Sequence, residues 1–285
     1  MTSISDEDRT AAARDRVARL IGAASLEVIP LRGAEAKVSA VPRGTTVTIT
    51  CSPKFGLDRT VAHTASAVAN GYRVVPHLAA RMVEDERALR RFVARVVDLG
   101  VDELFVIGGD GDEPVGRFSS AVEVLHALQD FDHGVRRIGV GGYPEGHPKI
   151  AAARLTEALL AKQVHADYLV SQLCFDGVAL LRWLEDVRAR GVGLPLRIGL
   201  AAPIRTARLV ELSLKIGVGQ SLRYLTKQHG MVGGLLLGRS YAPENLLHEL
   251  GERLTSPELG IEGLHVFTFN QVDVTVDWQR RIAGE

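Results

Sequence analysis

The sequence predicts an α/β barrel of eight parallel strands, (β/α)8, in one domain over residues 1–285, and three observations predict it. Eight short runs rich in Val, Ile and Leu recur along the chain, without the alternation of a strand that has one wet face. Longer stretches with apolar residues three or four apart separate them, as helices packed on a sheet require. Eight runs in 285 residues allow roughly 36 residues per strand-helix unit, close to what an eightfold barrel needs. An open doubly wound sheet would put a Gly-rich phosphate turn after its first strand, where this chain has EVIPLRG.

An extra N-terminal helix is expected over Asp6 to Ile21, ahead of the first strand, covering the bottom of the barrel or an edge. The strands follow as Leu26 to Ile29, Thr45 to Cys51, Tyr72 to Leu78, Leu104 to Gly108, Arg137 to Gly142, Tyr168 to Cys174, Leu196 to Ala201 and Leu264 to Asn270. Between them DRTVAHTASAVANG, EDERALRRFVARVVDLG and GVALLRWLEDVRARG have helical spacing and end at Gly, a helix stop. The gap from Ala202 to Gly263 is long enough for two or three helices. Within it, GVGQSLR sets Ser221 at a helix start, as a cap or beside a bound anion. HGMVGGLLLG is apolar but far too short to span a bilayer.

Lys plus Arg number 34 against 34 for Asp plus Glu, and hydrophobic residues make up 46%. That apolar content excludes a disordered chain. The neutral balance supplies no counterion-release energy for nucleic acid, and no Lys/Arg run marks a membrane surface. Two cysteines, Cys51 and Cys174, make no disulfide framework, so a reducing compartment is expected, with Cys174 a small core residue. The polar, acidic start has no signal-peptide pattern, and a cytoplasmic protein is expected.

In a barrel the C-terminal strand ends carry the chemistry. Strand one offers Glu27; strand two Thr50, Ser52 and Lys54; strand three His77; strand four Asp110 and Asp112. Strand five offers Tyr143, Glu145 and His147; strand six Gln172 and Asp176; strand seven Arg205; strand eight Asn270 and Gln271. Each has a structural reading beside the functional one: Glu27 pairing with Arg32, Asp110 capping the next helix, Gln172 satisfying backbone at a strand end. His77 and His147 stand apart on different strands, so no metal site is expected. GDGDE lacks the ligand ladder of a calcium loop and is expected to be a turn.

Taken in order, several segments resemble the methylenetetrahydrofolate reductase family, whose fold is an eightfold α/β barrel. They are LEVIP with Glu27, DRT at 58–60, PHL at 76–78, GGD ending at Asp110, QDFDHGVRRIGVGGYPEGHP at 129–148, SQLCFD at 171–176 and LHVFTFN ending at Asn270. The resemblance implies that Glu27 is the general acid, Asp110 the carboxylate beside the electrophile and Gln172 the pterin holder. It implies further folate contacts at Asn270 and Gln271. Thr50, His77, Tyr143, His147 and Lys162 are expected to line the cofactor side. Protonating the methylene bridge opens the ring to an N5 iminium cation, which a carboxylate stabilises and a hydride attacks.

Flavin-dependent members of that family carry an arginine after strand four, and a tyrosine and an aspartate opening the next helix. Here Gly108, Phe118 and Ala121 stand there. Gln271 stands where an arginine would grip the glutamyl tail, whereas Asp58, His77 and Lys162 keep family positions. The expectation is a branch without FAD, passing hydride from NADH or NADPH directly to folate. The alternatives are an FAD-dependent reductase and a non-catalytic folate-binding protein.

Overall fold

The computed structural model describes residues 6–110, 113–215 and 240–284, with 6–13 described by their helical backbone alone. Eight strands close into a barrel in sequence order. They are β1 (Ser25–Val28), β2 (Thr46–Ile49), β3 (Arg73–Ala79), β4 (Glu103–Ile107), β5 (Arg137–Gly142), β6 (Tyr168–Ser171), β7 (Leu196–Ala201) and β8 (Ile261–Phe267). Each pairs in parallel with the next, and β8 returns to β1 with Ser25 opposite His265 and Glu27 opposite Phe267. The expected fold class and all eight strands are therefore present.

The described helices are α1 (Asp6–Gly22), α2 (Ala34–Val38), α3 (Gly56–Ala69), α4 (Glu86–Asp98), α5 (Ala121–Leu128), α6 (Ala152–Gln163), α7 (Gly177–Ala189), α8 (Thr206–Lys215), α9 (Glu244–Leu250) and α10 (Val272–Ala283). Local chemistry places their ends. Asp85 accepts from the Ala88 amide at 2.6 Å to start α4, and Asp176 accepts from that of Ala179 at 2.9 Å to start α7. Asp176, a strand-end candidate, is thus a helix cap. The glycines after α4 and α7, Gly100 and Gly191, have φ of 84° and 91°, a conformation that favours a residue without Cβ. The short α2 was not visible as a periodic segment. Residues 216–239, which include Ser221 in GVGQSLR and the HGMVGGLLLG stretch, lie outside the described residues, as does Asp112.

Alternation along the strands sorts two apolar sets. Leu26, Val47, Leu78, Leu104, Val140, Leu169, Ile198 and Val266 face the helices in the main core. Val75, Phe105, Tyr168 and Val170 form a smaller cluster inside the barrel. The glycines of GVGG belong to β5 itself, and Gly139 has a packing reason: a Cβ there would lie 2.2 Å from the Tyr168 ring. Strand β8 stops three residues short of Asn270, because Phe269 and Asn270 turn to φ of 50° and 60°. Helix α1 covers the bottom as expected: Arg16 donates to the Ile261 carbonyl at 3.2 Å, and Arg16, Arg19, Leu20 and Ala23 line a cavity with the N-terminal strand ends. There Arg197 sits 2.8 Å from both Glu103 and Glu262 and 3.7 Å from the Tyr168 ring centroid.

Candidate active site

Three polar side chains project into the barrel from strands that the closure brings together. Glu27 on β1 lies 3.1 Å from Nε2 of His265 on β8 and 3.8 Å from Nε2 of His77 on β3, through the same oxygen, Oε2. The glutamate side chain is 13% exposed and the two histidines are almost wholly buried. Arg32 is not the partner; His265 is, and it escaped the sequence reading. Its signal was the alternation in LHVF: Leu264 and Val266 pack outward, so His265 and Phe267 must face in.

Hydrogen bonds reach both ring nitrogens of His265. Ser25 Oγ donates to the Leu264 carbonyl at 3.3 Å and lies 3.3 Å from His265 Nδ1, while Nε2 faces Glu27 Oε2 at 3.1 Å. One proton shared between Nε2 and the carboxyl group would satisfy both partners. The main chain around Glu27 is held too, since the Thr268 hydroxyl donates to its carbonyl at 2.5 Å.

His77 does not stand alone, which corrects the expectation from sequence. It packs edge-on to Phe105 at 4.8 Å between centroids and 6.3 Å from the His265 ring. Burial pushes it down to about 4, with Glu27 pulling up and His265 pushing down more weakly. An unfolded chain therefore binds a proton between about pH 6.5 and 4 that the fold refuses, and stability falls as pH drops through that window. We expect wild-type protein to lose about 2 to 3 kcal/mol more than His77→Gln between pH 7 and pH 4.5, in urea midpoints. Parallel pH profiles for the two would refute this.

The other candidates gather at the C-terminal rim. Asp110 is exposed after β4, and it caps no described helix, since Ser120 starts α5. Its charge reaches Tyr143, whose hydroxyl is raised first by burial and then by Asp110. It also reaches His147, lowered by burial against Asp110's pull. Tyr143 and His147 stack edge to face at 5.3 Å, and His147 Nδ1 accepts from the Lys149 amide at 3.2 Å. Cys51, at the end of β2, has its thiol pushed up to about 12, chiefly by burial, with Asp110 and Glu27 adding to it. These groups therefore share one electrostatic neighbourhood.

Gln172 follows β6, and its side-chain oxygen accepts from the Leu173 amide at 2.8 Å, so the structural reading holds part of it while one lone pair and the NH2 group have no partner among the described residues. Thr50 gives its carbonyl to the Thr60 hydroxyl at 3.0 Å. Asn270 uses both ends of its amide on Ile29, accepting from the amide at 2.8 Å and donating to the carbonyl at 2.9 Å, and so extends the β8–β1 closure past the strands. Gln271 caps α10 through its main chain, its carbonyl accepting from Thr275 at 2.8 Å. Lys162 is buried between α6 and β5, where it donates to the Gly141 carbonyl at 2.5 Å, and burial lowers it to about 8. Cys174 is core, as expected, and its thiol reaches Glu145 at 3.0 Å.

At the positions where flavin-dependent relatives differ, a side chain on Gly108 would point into open space. Phe118 and Ala121 are buried in the main core. Asp58 is 87% exposed and pairs with Arg95 on α4. Gly108, Phe118 and Ala121 thus present no charge or hydroxyl at those three positions.

A barrel with a glutamate–histidine pair buried inside it has the makings of an enzyme site, and comparison with known proteins defines the family. A family model described as methylenetetrahydrofolate reductase matches residues 33–221. That stretch is well over half of the chain, and the chain belongs to the methylenetetrahydrofolate reductase family. The match includes Asp110 and Gln172, while Glu27 and His265 flank it. Methylenetetrahydrofolate reductase 2 of Saccharomyces cerevisiae is 26% identical over 143 residues, which is 47% of this chain and 22% of the yeast protein. The chain thus spans about a fifth of that relative's length. Among solved structures, oxaloacetate acetylhydrolase superposes with a TM-score of 0.50 at 11% identity, over 92% of this chain and 81% of its own, which shows the fold alone. The similarity to 2,3-dimethylmalate lyase is slighter, with a TM-score of 0.48 at 12% identity over 96% and 85% of the two chains, and carries no argument. No helix among the described residues is long and apolar enough to cross a membrane.

Proposed function

We propose that this protein reduces 5,10-methylenetetrahydrofolate to 5-methyltetrahydrofolate, taking hydride directly from NADH or NADPH, with no flavin. The observation that carries the reading is the 3.1 Å contact between Glu27 and His265, inside the barrel below the rim, which can hold a proton for delivery. Glu27 delivers that proton to the methylene bridge, which opens the ring to the N5 iminium cation. Asp110, on the rim, supplies the negative charge that stabilises the cation. Gln172 holds the pterin edge with its unassigned amide hydrogens. Reduced nicotinamide, when bound, supplies the hydride. Loss of the flavin contacts at Gly108, Phe118 and Ala121 supports direct transfer.

The purified protein is expected to be colourless, to leave added FAD unbound, and to oxidise reduced nicotinamide only with the folate substrate present. Direct transfer needs both reactants bound together with reacting atoms about 3 to 3.5 Å apart. Double-reciprocal plots should then intersect. Parallel lines, or yellow protein that releases FAD on denaturation, would establish the flavin-dependent alternative; folate binding without turnover would establish a non-catalytic binding protein.

A further inference from the structure

We propose that Glu27, His77 and His265 form a binding site for a borderline divalent cation of the Zn2+ class, and that its occupancy switches the reductase off. The binding stands on the geometry alone, whereas the inhibition rests on Glu27 being the acid of the proposed reaction.

The donor atoms of the three side chains all lie within 4.8 Å of one another. Two imidazole nitrogens and one carboxylate suit Zn2+ or a similar transition cation better than Mg2+ or Ca2+, which select oxygen. An independent observation points to a missing ligand: His77 Nε2 has no hydrogen-bond partner among the described residues although its side chain is 4% exposed. Thr48 Oγ1 is a second buried atom without a partner, on the residue that pairs with Glu27 across β1 and β2. Buried polar groups are nearly always satisfied, so two orphans on neighbouring strands beside a carboxylate mark a place for an occupant.

The distances fit with a small adjustment. A cation about 2.0 to 2.1 Å from each donor places tetrahedral ligands about 3.3 to 3.5 Å apart. The observed 3.1 and 3.8 Å bracket that spacing. The wider separation between the histidines closes by rotation of His77, whose Nε2 no bond restrains. Ser25 Oγ, 3.3 Å from Nδ1 of His265, can accept its proton and so leave the Nε2 lone pair facing inward, as the partner of a ligating histidine does. Phe105 and Phe267 pack edge-on against His77 and His265, at 4.8 and 4.9 Å, and wall the site with apolar surface. A bound cation occupies Glu27 Oε2, the oxygen that faces both histidines, and so takes the carboxylate from the reaction. The acid then has nothing to deliver.

The test uses the whole chain after chelator treatment. Zn2+ alone is titrated by calorimetry and Co2+ alone by visible absorption, and wild-type crystals soaked in Zn2+ are examined for an anomalous peak. One site is expected, with the peak between the three side chains and affinity at least about 100-fold weaker in folded His77→Gln and His265→Gln proteins. A peak elsewhere, or unchanged affinity in both folded variants, means an adventitious ion only and overturns the site. If the variants fail to fold, the position of the wild-type peak decides. Zn2+ should also abolish nicotinamide oxidation in step with occupancy, with recovery on chelation. Binding at these residues in a metal-free protein that never reduces folate would sink the proposed function and leave the cation site standing. An active reductase that neither binds nor responds to Zn2+ would do the reverse, and occupancy of the site without inhibition would overturn the switch.

Discussion

Glu27→Gln is expected to lower turnover by about 10² to 10⁴ while leaving the fold and folate affinity close to wild type. The amide matches the carboxyl in size, and its NH2 group can donate to His265 Nε2 across the 3.1 Å that the acid now spans. What it lacks is a proton to release to the methylene bridge. The measurement is steady-state reduction with thermal unfolding alongside. A drop below about ten-fold in a folded variant would remove Glu27 from the acid's role and with it the main support for the mechanism.

Arg197→Ala is expected to destabilise the protein by about 3 to 5 kcal/mol, the usual loss when one partner leaves a buried ion pair. Glu103 is 5% exposed and faces Arg197, itself 14% exposed, at 2.8 Å. The other cation near it, Arg73, stands 3.8 Å away from solvent-exposed ground and is a weak replacement. Truncation would also strip the guanidinium from the Tyr168 ring and from Glu262. Removing both charges, as Arg197→Met with Glu103→Leu, should recover most of the loss, because no uncompensated carboxylate is then buried. Urea unfolding of the two variants decides it: a single mutant within 1 kcal/mol of wild type would mean that water reaches Glu103 freely. The network lies at the N-terminal mouth, where barrels keep their stability rather than their chemistry, so the folded single mutant should retain its kcat.

Both predictions depend on side chains that face into the barrel, and the strands that carry them were legible in the sequence. The runs at Leu196 to Ala201 and Arg137 to Gly142 match β7 and β5 residue for residue, since Val, Ile and Leu covered by helices leave little choice of element. Boundaries slipped where the backbone changes hand. Asn270 looks like the end of a strand, but its φ of 60° turns the chain, and its amide takes over the pairing with Ile29. The short α2 and the ion network under the barrel left no periodic trace, because both depend on neighbours remote in the chain.

The sequence by itself determined the barrel, the helix ahead of its first strand, the family resemblance and the candidates Glu27, Asp110 and Gln172. Those follow from local periodicity and from segments a few residues long. Only the tertiary structure decided what Glu27 touches. His265 is 238 residues away along the chain, and nothing local announces the pair. It exists because the eighth strand closes on the first with Ser25 opposite His265 and Glu27 opposite Phe267, a register that a one-residue slip would turn inside out. The same closure brings His77 beside both. A glutamate that stands alone in the sequence thereby gains two histidine neighbours.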